Sequence, residues 1–376
     1  MKYFIIAIIS TFIFYGCSGS LIRINVAPDQ NVYPMFGKIP ERDFFFSQDI
    51  GDTLIKKWEN SVNGGFTNTS ITAYGNYIFV GDLSGRIYCF NNSTGKQAGK
   101  LKNRGAIYSS PVIDDLNIFF AVAAENSNES DLISYNFFKG EENFDKEIKG
   151  RVLDEIIKKD DALIFNTEDG RLYKFNLSGE EEWKLETKSF THSSPALFNN
   201  IVFFGNDKGE IMAVSSKSGK LIYRKKVGEP FFGGAIISDS IAYIGNDNGK
   251  LYAVGIESGN IKWEFDTHAR ITMIPALKDD VIIIGNLNGD LYAIEKSVGS
   301  LIWKLSTNGI LDSTPLITND FIVVPDLNKK FYMIDFQTGE IIKTYNLEGM
   351  VKLSPVIADS TLFIGYENGN ICAYEF

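Results

Sequence analysis

The chain of 376 residues is poor in the side chains that bind metals or form disulfides. It contains three cysteines and two histidines. It also lacks a glycine-rich phosphate loop, a pair of adjacent cysteines and a calcium-binding loop that ends in glutamate. The residue types on which most enzymes and metalloproteins depend are therefore scarce, and we predict no catalytic residue, no metal site and no cofactor.

Positive charge and long apolar stretches are also in short supply. The 37 lysine and arginine residues face 47 aspartate and glutamate residues, which gives a formal net charge of −10. An acidic surface repels nucleic acid, so we expect no nucleic-acid partner. After residue 15 no stretch approaches the roughly 18 apolar residues that a membrane-spanning helix needs.

The first seventeen residues have the pattern of an export signal. Lys2 precedes a 13-residue apolar run at positions 3–15, which is too short to cross a membrane as a helix. The sequence FYGC at positions 14–17 resembles a bacterial lipobox, and this resemblance implies that Cys17 is lipidated. We predict an exported lipoprotein at the periplasmic face of the outer membrane that meets the membrane only through its lipid anchor. Cleavage near Gly19, which would give a soluble periplasmic or secreted protein, is the alternative.

A repeat of about forty residues occupies most of the chain. The segments GNDKGEIMAV (205–214), GNDNGKLYAV (245–254), GNLNGDLYAI (285–294) and GYENGNICAY (365–374) align without gaps. The same frame falls at positions 81, 121, 165 and 325, so the spacings are 40, 44 and then 40 residues throughout. We interpret the polar stretch at 125–131, which holds the extra residues, as a lengthened hairpin loop. The chain therefore contains eight copies.

Each copy has the pattern of four short strands. In the fourth copy, apolar runs at 195–198 and 201–204 precede an Asn-Asp-Lys-Gly turn, and strand-like segments at 210–214 and 221–227 follow. Apolar runs rich in Ile, Val, Phe and Tyr that alternate with glycine turns are typical of all-β structure. Four strands in about forty residues describe one propeller blade. We therefore predict an all-β, eight-bladed β-propeller of four-stranded blades.

The two ends of the chain complement each other. The eighth copy ends at Phe376, just after its third strand. The fourth strands of three other copies each contain a tryptophan: Trp183, Trp263 and Trp303. A surplus strand with the same pattern, at positions 54–58 and with Trp58, lies before the first copy. We predict that this N-terminal strand completes the last blade and closes the ring.

This organisation divides the chain into three parts. Residues 1–17 are the predicted signal peptide, and residues 51–376 are the propeller. Residues 18–50 contain three prolines and no repeat, so we interpret them as a tether and lead-in segment.

Two cysteines remain in the propeller. An exported protein could pair them. However, Cys89 and Cys372 occupy neighbouring steps of equivalent strands, and neighbouring residues of a strand face opposite sides of the sheet. We therefore expect them not to form a disulfide.

The repeat resembles that of the pyrroloquinoline-quinone-type propeller family. The segments NGKLYAV (248–254), SGNIKW (258–263) and SSP (193–195) carry the resemblance, together with the lead-in YPMFGKIPER (33–42). Within that family, the chain length, blade number and lipobox resemble the BamB lipoproteins of the outer-membrane barrel-assembly machinery. The resemblance implies a non-catalytic periplasmic scaffold that binds protein partners, among them the barrel-assembly core, as a monomer within a complex.

The loops through which BamB proteins contact that core differ here. The stretch at 188–192 lacks the family's leucine and arginine, and the stretch at 228–232 is short and has a single acidic residue. We therefore transfer no partner-binding residue from the family.

Two alternatives to the scaffold remain, a quinone-dependent dehydrogenase and another binding or sensing propeller of the cell envelope. The dehydrogenases resemble the same repeat, but they are longer and use adjacent cysteines, a calcium site and a catalytic aspartate. The aligned Asp and Asn residues of this chain fall in hairpin turns, where turn geometry explains them. Ser193 and Ser194 belong to the repeat pattern, and His192 and His268 fall at different repeat steps, so no catalytic triad is assigned.

One position of the repeat varies in the way a binding surface would. It lies three residues before the position at which most copies have a proline at the start of their first strand. In a propeller, the loops that contain it border one mouth of the central channel. From this position, with the neighbouring Phe231, we predict a partner-binding rim: Asn68, Tyr108, Val152, His192, Phe231, Phe232, Thr272, Asp312 and Lys352. Tyr108, Phe231 and Phe232 are the expected aromatic anchors. The alternative is that these loop residues vary freely.

Overall fold

Apolar strands and glycine-containing turns build eight antiparallel sheets in the computed structural model, which describes residues 20–27 and 32–376. The sheets are the blades of a β-propeller, and each blade has four strands, which follow chain order from the centre outwards in the first seven blades. In the eighth blade an N-terminal strand is outermost, and a short extra strand pairs with the innermost strand of the first blade. The predicted fold class is therefore confirmed. The predicted signal peptide and Cys17 lie outside the described residues. Among the described residues, no helix has the length and apolar character to cross a membrane.

Two strands precede the first complete blade, β1 (Val32–Tyr33) and β2 (Ile55–Ser61). Blades one to four contain, in order, β3 (Thr72–Tyr74), β4 (Tyr77–Gly81), β5 (Arg86–Asn91), β6 (Gln97–Lys102); β7 (Val112–Asp114), β8 (Asn117–Ala123), β9 (Glu129–Asn136), β10 (Glu141–Lys149); β11 (Ile157–Lys159), β12 (Ala162–Asn166), β13 (Arg171–Asn176), β14 (Glu181–Glu186); β15 (Ala196–Phe198), β16 (Ile201–Gly205), β17 (Glu210–Ser215) and β18 (Leu221–Lys226).

Blades five to eight contain, in order, β19 (Ala235–Ser238), β20 (Ile241–Gly245), β21 (Lys250–Gly255), β22 (Asn260–Asp266); β23 (Ala276–Lys278), β24 (Val281–Gly285), β25 (Asp290–Glu295), β26 (Leu301–Ser306); β27 (Leu316–Ile317), β28 (Phe321–Pro325), β29 (Lys330–Asp335), β30 (Ile341–Asn346); β31 (Val356–Ala358), β32 (Thr361–Tyr366) and β33 (Asn370–Glu375). A single 3₁₀ turn, Glu367–Gly369, joins the last two strands.

Burial differs between the inner and outer strands of each blade. The second and third strands, such as β24 and β25, are buried along most of their length because a neighbouring blade packs on each face. The fourth strands, such as β26, alternate between exposed and half-buried side chains. The core of the protein therefore lies between the blades.

The ring closes through the N-terminal strand, as predicted. Strand β2 pairs antiparallel with β33, and Trp58 lies opposite Ala373. The last blade is thus made of both ends of the chain, and its third strand is paired on both sides.

In four of the blades a tryptophan of the fourth strand joins the blade to the next one. Trp263 of β22 donates a hydrogen bond from Nε1 to the backbone carbonyl of Lys296 in the next blade, at 3.0 Å. Its ring lies against Gly299, where an added Cβ would come within 2.6 Å of the indole. Gly299 has a φ of +75°, so the turn also needs its conformational freedom. The Ser-Gly-x-x-x-Trp pattern of the repeat is therefore an inter-blade contact.

The third copy is displaced by one residue from the predicted frame. Ile157 pairs with Ile164 as Ala196 pairs with Phe203, which places the two blades 39 residues apart and not 40. The insertion in the preceding blade is accordingly five residues, because the long hairpin of β9 and β10 takes up one more. The residue of this copy that corresponds to Gly205 of the fourth copy is Asn166. The prediction of Phe165 for this position is wrong.

Residues 20–27 lie along the outer edge of the first blade. Leu21 exchanges two backbone hydrogen bonds with Lys100 of β6, at 2.8 and 3.1 Å. The amide of Ile24 donates to the carbonyl of Phe137 in the second blade, at 2.9 Å, and the Ile24 side chain is buried. This segment covers an edge strand that would otherwise be exposed.

Residues 32–48 cross the ring at the end of the channel away from the predicted rim, and they contact every blade. Strand β1 pairs with β3, and most of the other contacts are backbone hydrogen bonds to the innermost strands. The contacted residues in blades one to eight are Tyr74, Ile113, Lys158, Leu197, Ile237, Lys278, Ile317 and Asp359.

The described part of residues 18–50 is thus packed on the propeller, in contrast to the predicted tether. The physical reason is its apolar content, since Met35, Phe36, Phe44 and Phe46 are all buried. Below, residues 32–48 are called the lead-in plug.

Candidate partner-binding rim and central cavity

A cavity of about 430 Å³ lies on the axis of the ring, and the entry loops of all eight blades line it. Phe36 of the lead-in plug contributes to its lining, so the cavity is closed at that end and opens at the rim. Seven of the nine predicted rim residues line the cavity: Asn68, Tyr108, His192, Phe232, Thr272, Asp312 and Lys352. They are exposed or half-buried.

Two predicted rim residues lie elsewhere. Val152 is buried between blades because of the one-residue displacement of the third copy, and Leu153 takes its place in the cavity lining. Phe231 is buried against Gly205, where an added Cβ would come within 2.4 Å of the Phe231 side chain. Phe231 therefore belongs to the core and is not an aromatic anchor.

A further aromatic residue lies on the same face. Phe190 is 60% exposed, and its carbonyl accepts a hydrogen bond from the amide of Asp207, at 3.0 Å. The sequence carried a signal for it, because Phe190 is an apolar residue in the otherwise polar stretch 188–192.

Ion pairs and hydrogen bonds fix one arc of the rim. Arg151 donates to the hydroxyl of Tyr108 at 3.2 Å and lies over its ring. Arg151 also pairs with Glu168, which lies 3.6 Å from Nε2 of His192. Nδ1 of His192 is 2.8 Å from Asp207, and this hydrogen bond is the main reason why the pKa of His192 is raised to about 9. His192 is therefore a cation at neutral pH.

The opposite arc is held through Asp312. Its carboxylate accepts a hydrogen bond from Thr272 at 2.6 Å and lies 4.0 Å from the ammonium of Lys352. Its backbone carbonyl accepts from the side-chain amide of Asn68, at 3.3 Å. The side chains of both arcs are thus held in position by contacts with one another.

Two carboxyl groups, Asp154 and Glu155, lie at the closed end of the cavity. Glu155 accepts hydrogen bonds from the amide and the hydroxyl of Ser110, at 2.8 and 3.0 Å. Oδ2 of Asp154 is buried and has no hydrogen-bond partner. Loss of hydration raises the pKa of each carboxyl to about 7. The sequence prediction missed both residues.

A buried arginine of the lead-in plug lies behind these carboxyls. Arg42 donates to the carbonyl of Pro195 at 2.6 Å, and its Nε has no partner. Burial lowers the pKa of Arg42 to about 10, and the charges of Glu155 and Asp154 act in the opposite direction.

The arrangement offers binding groups but no activated nucleophile. His192 and Asp207 form the kind of pair that activates a serine, but the Ser193 hydroxyl donates to the carbonyl of Gly233, at 2.7 Å. Within residues 20–27 and 32–376, no group of three or more His, Cys, Asp and Glu residues could hold a metal ion. Cys89 and Cys372 are both buried and free.

The lining does not fit pyrroloquinoline quinone, the cofactor that the repeat family implies. This cofactor is a flat tricarboxylate, so its site must supply cations. The ionisable groups at the closed end are the carboxyls of Asp154 and Glu155, and Arg42 behind them is already bonded to a carbonyl. Without a bound cation the carboxylates of the cofactor would be repelled by these carboxyls, and the described residues offer no metal-binding group there.

Comparisons with solved structures show the same fold in a BamB protein, a designed protein and a dehydrogenase. BamB from Moraxella catarrhalis is 18% identical, with a TM-score of 0.74 over 86% of this chain and 100% of that chain. The computationally designed protein Ika8 is 13% identical, with a TM-score of 0.72 over 84% and 98%. A europium-containing methanol dehydrogenase is 10% identical, with a TM-score of 0.76 over 89% of each chain.

Comparison by sequence distinguishes between these proteins better than comparison by fold. A search of curated proteins gave no match. The sequence model of one family, described as outer membrane protein assembly factor BamB, matches in three overlapping stretches, residues 119–241, 168–304 and 247–376. These stretches together span more than half of the chain. The chain therefore belongs to the BamB family.

Proposed function

We propose that the chain is a non-catalytic scaffold that binds a protein partner through the rim of its central cavity, in the assembly of outer-membrane β-barrel proteins. One observation carries the proposal. Half-exposed aromatic and charged side chains surround the open end of a cavity whose other end is covered by the lead-in plug. Such a surface presents fixed anchors to a partner from one direction only.

The aromatic residues of the rim are its expected hot spots. Tyr108 is stacked by Arg151, and Phe232 is stacked by Arg270, which also pairs with Asp247. Aromatic rings beside arginine are the side chains that contribute most to protein interfaces. Phe190, 60% exposed, adds a third ring on the same face.

The location of the protein is part of the same proposal. Membership of the BamB family and the lipobox-like sequence at Cys17 support an exported lipoprotein at the periplasmic face of the outer membrane. The proposed partner is the barrel-assembly core, with the chain as a monomer within that complex.

A quinone-dependent dehydrogenase is the second candidate, since a methanol dehydrogenase shares the fold with a TM-score of 0.76. The chain lacks the pair of adjacent cysteines that those enzymes use, which argues against it. Incubation with pyrroloquinoline quinone and calcium should leave no bound chromophore and no dye-linked turnover of alcohols or sugars. Stoichiometric quinone binding together with turnover would refute the scaffold proposal and support the dehydrogenase.

The scaffold is tested by co-purification from cell envelopes. The tagged wild-type chain should recover the barrel-assembly core, and the double variant Tyr108→Ala/Phe232→Ala should reduce that recovery by about tenfold or more, because hot-spot side chains contribute about 2 kcal/mol or more each.

The matched control is Leu301→Ala/Ile302→Ala. These two side chains are 49% and 47% exposed on the outer strand β26, far from the rim. The control should bind as the wild type does. Equal recovery by the rim variant and the wild type, with both chains folded, would refute the rim as the binding surface.

A further inference from the structure

Two adjacent carboxyl groups line the cavity, and one of them has an oxygen without a hydrogen-bond donor. Asp154 and Glu155 lie side by side there, and the buried oxygen Oδ2 of Asp154 accepts no hydrogen bond. Leaving a buried carboxylate oxygen without a donor is costly, so native structures usually supply one.

The cations near these carboxyls are engaged elsewhere. The guanidinium of Arg42 donates to the carbonyl of Pro195, and His192 is hydrogen-bonded to Asp207. Lys352 lies beside Asp312 on the wall of the cavity. None of these three contacts supplies a donor to Oδ2 of Asp154.

Apolar and polar side chains share the lining of the cavity. Phe36, Phe232, Met273 and Ile274 line the cavity. Apolar side chains beside a carboxylate match an alkyl chain that ends in a cation, since methylene groups pack on the apolar side chains while N–H groups reach the carboxylate. The volume of about 430 Å³ is within the range of small-molecule sites.

We propose that the central cavity is a binding site for an alkylammonium or alkylguanidinium group, with Asp154 as its principal acceptor. Two sources share this chemistry. One is a free amine of the periplasm, and the other is a lysine or arginine side chain of the protein that binds the rim. The second source depends on the proposed scaffold function, whereas the site itself does not.

Calorimetric titration with agmatine tests the site. The mature chain is used with Cys17→Ser, so that it remains soluble, at pH 8, where both carboxyls are largely ionised. Agmatine should bind saturably with one molecule per chain, and butanol should not bind. Asp154→Asn should weaken agmatine binding by at least about tenfold, because a hydrogen bond to a charged acceptor is lost.

Two further variants separate the cavity from general effects. Asp115→Asn removes the same charge from an exposed turn and should leave agmatine binding unchanged. Thr272→Lys places an ammonium on the cavity wall and should abolish agmatine binding even if Asp154→Asn proves unstable. No saturable binding by the wild type, or equal binding by the wild type and Asp154→Asn, would overturn the inference.

The co-purification assay distinguishes the two sources of the cation. If agmatine competes with the recovered protein partner, a partner side chain occupies the cavity. If agmatine binds without competing, the occupant is a free amine. If Tyr108→Ala/Phe232→Ala does not affect recovery, the rim is refuted as the partner-binding surface. The cavity site is not refuted by that result, because agmatine binding is measured without any partner.

Discussion

Removal of the Trp58 side chain tests ring closure, since this residue lies outside every complete repeat. Its Nε1 donates to the backbone carbonyl of Asn92 in the first blade, at 2.8 Å. Its ring packs against Gly95, where an added Cβ would lie 2.6 Å away, and against Phe363 with 5.8 Å between ring centroids. Trp58→Ala therefore removes contacts within the last blade and between the last and first blades.

The expected cost follows from burial. Truncation of a fully buried tryptophan to alanine costs about 3–5 kcal/mol. Trp58 is half-buried, which lowers the packing contribution, and the lost hydrogen bond adds about 1 kcal/mol. We expect the free energy of unfolding to fall by about 2–4 kcal/mol, out of a typical total of about 5–15 kcal/mol.

Trp263→Ala is the matched comparison. Trp263 makes the same hydrogen bond and the same glycine contact between two internal blades, and it is also half-buried. Unfolding in urea, followed by far-ultraviolet circular dichroism, should give similar losses for both variants, and Phe138→Ala, at a 43% exposed side chain, should change little. A Trp58→Ala protein as stable as the wild type, beside a destabilised Trp263→Ala, would mean that β2 does not close the ring in solution.

Two further predictions concern the anchor and the cavity. Cys17→Ser should abolish metabolic lipid labelling and leave a soluble or uncleaved chain; equal labelling of variant and wild type would contradict lipidation. The free energy of unfolding should fall by roughly 1–3 kcal/mol between pH 5 and pH 8, because Glu155 and Asp154 have pKa values raised to about 7, so the folded state holds their protons more tightly than the unfolded state. The raised pKa of His192 extends the decline towards pH 9, since its stabilising charge is lost there. Urea midpoints measured across this range should fall less for Glu155→Gln than for the wild type between pH 5 and pH 7, and a flat wild-type profile would contradict the buried carboxyls.

The repeat made the architecture predictable, because each copy is one blade and blades stack by the same contacts. Trp58 could be placed in the last blade by counting strands alone. The register of the third copy could not be predicted in this way, because the sequence does not show where the insertion in the second blade ends. Val152 was therefore assigned to the rim in place of Leu153.

The lead-in plug and the closed end of the cavity depend on contacts that no period encodes. Residues 32–48 contain no repeat, and only the cluster of Met35, Phe36, Phe44 and Phe46 indicated that they would be buried. The carboxyls of Asp154 and Glu155 stand where most other copies have a serine or threonine and none has an acidic residue, and this departure was the available signal for the cavity.

The position of the lead-in plug has a consequence for the order in which the protein matures. The plug is synthesised early, yet its last contacts, at Ile317 and Asp359, are synthesised near the end. Strand β2 must likewise wait for β33. Neither element can complete its native contacts until those late segments have been synthesised, so the closure of the ring is a late step. Maturation is thereby tied to full-length chains, and a truncated product would keep an open ring with exposed strand edges that invite aggregation and proteolysis.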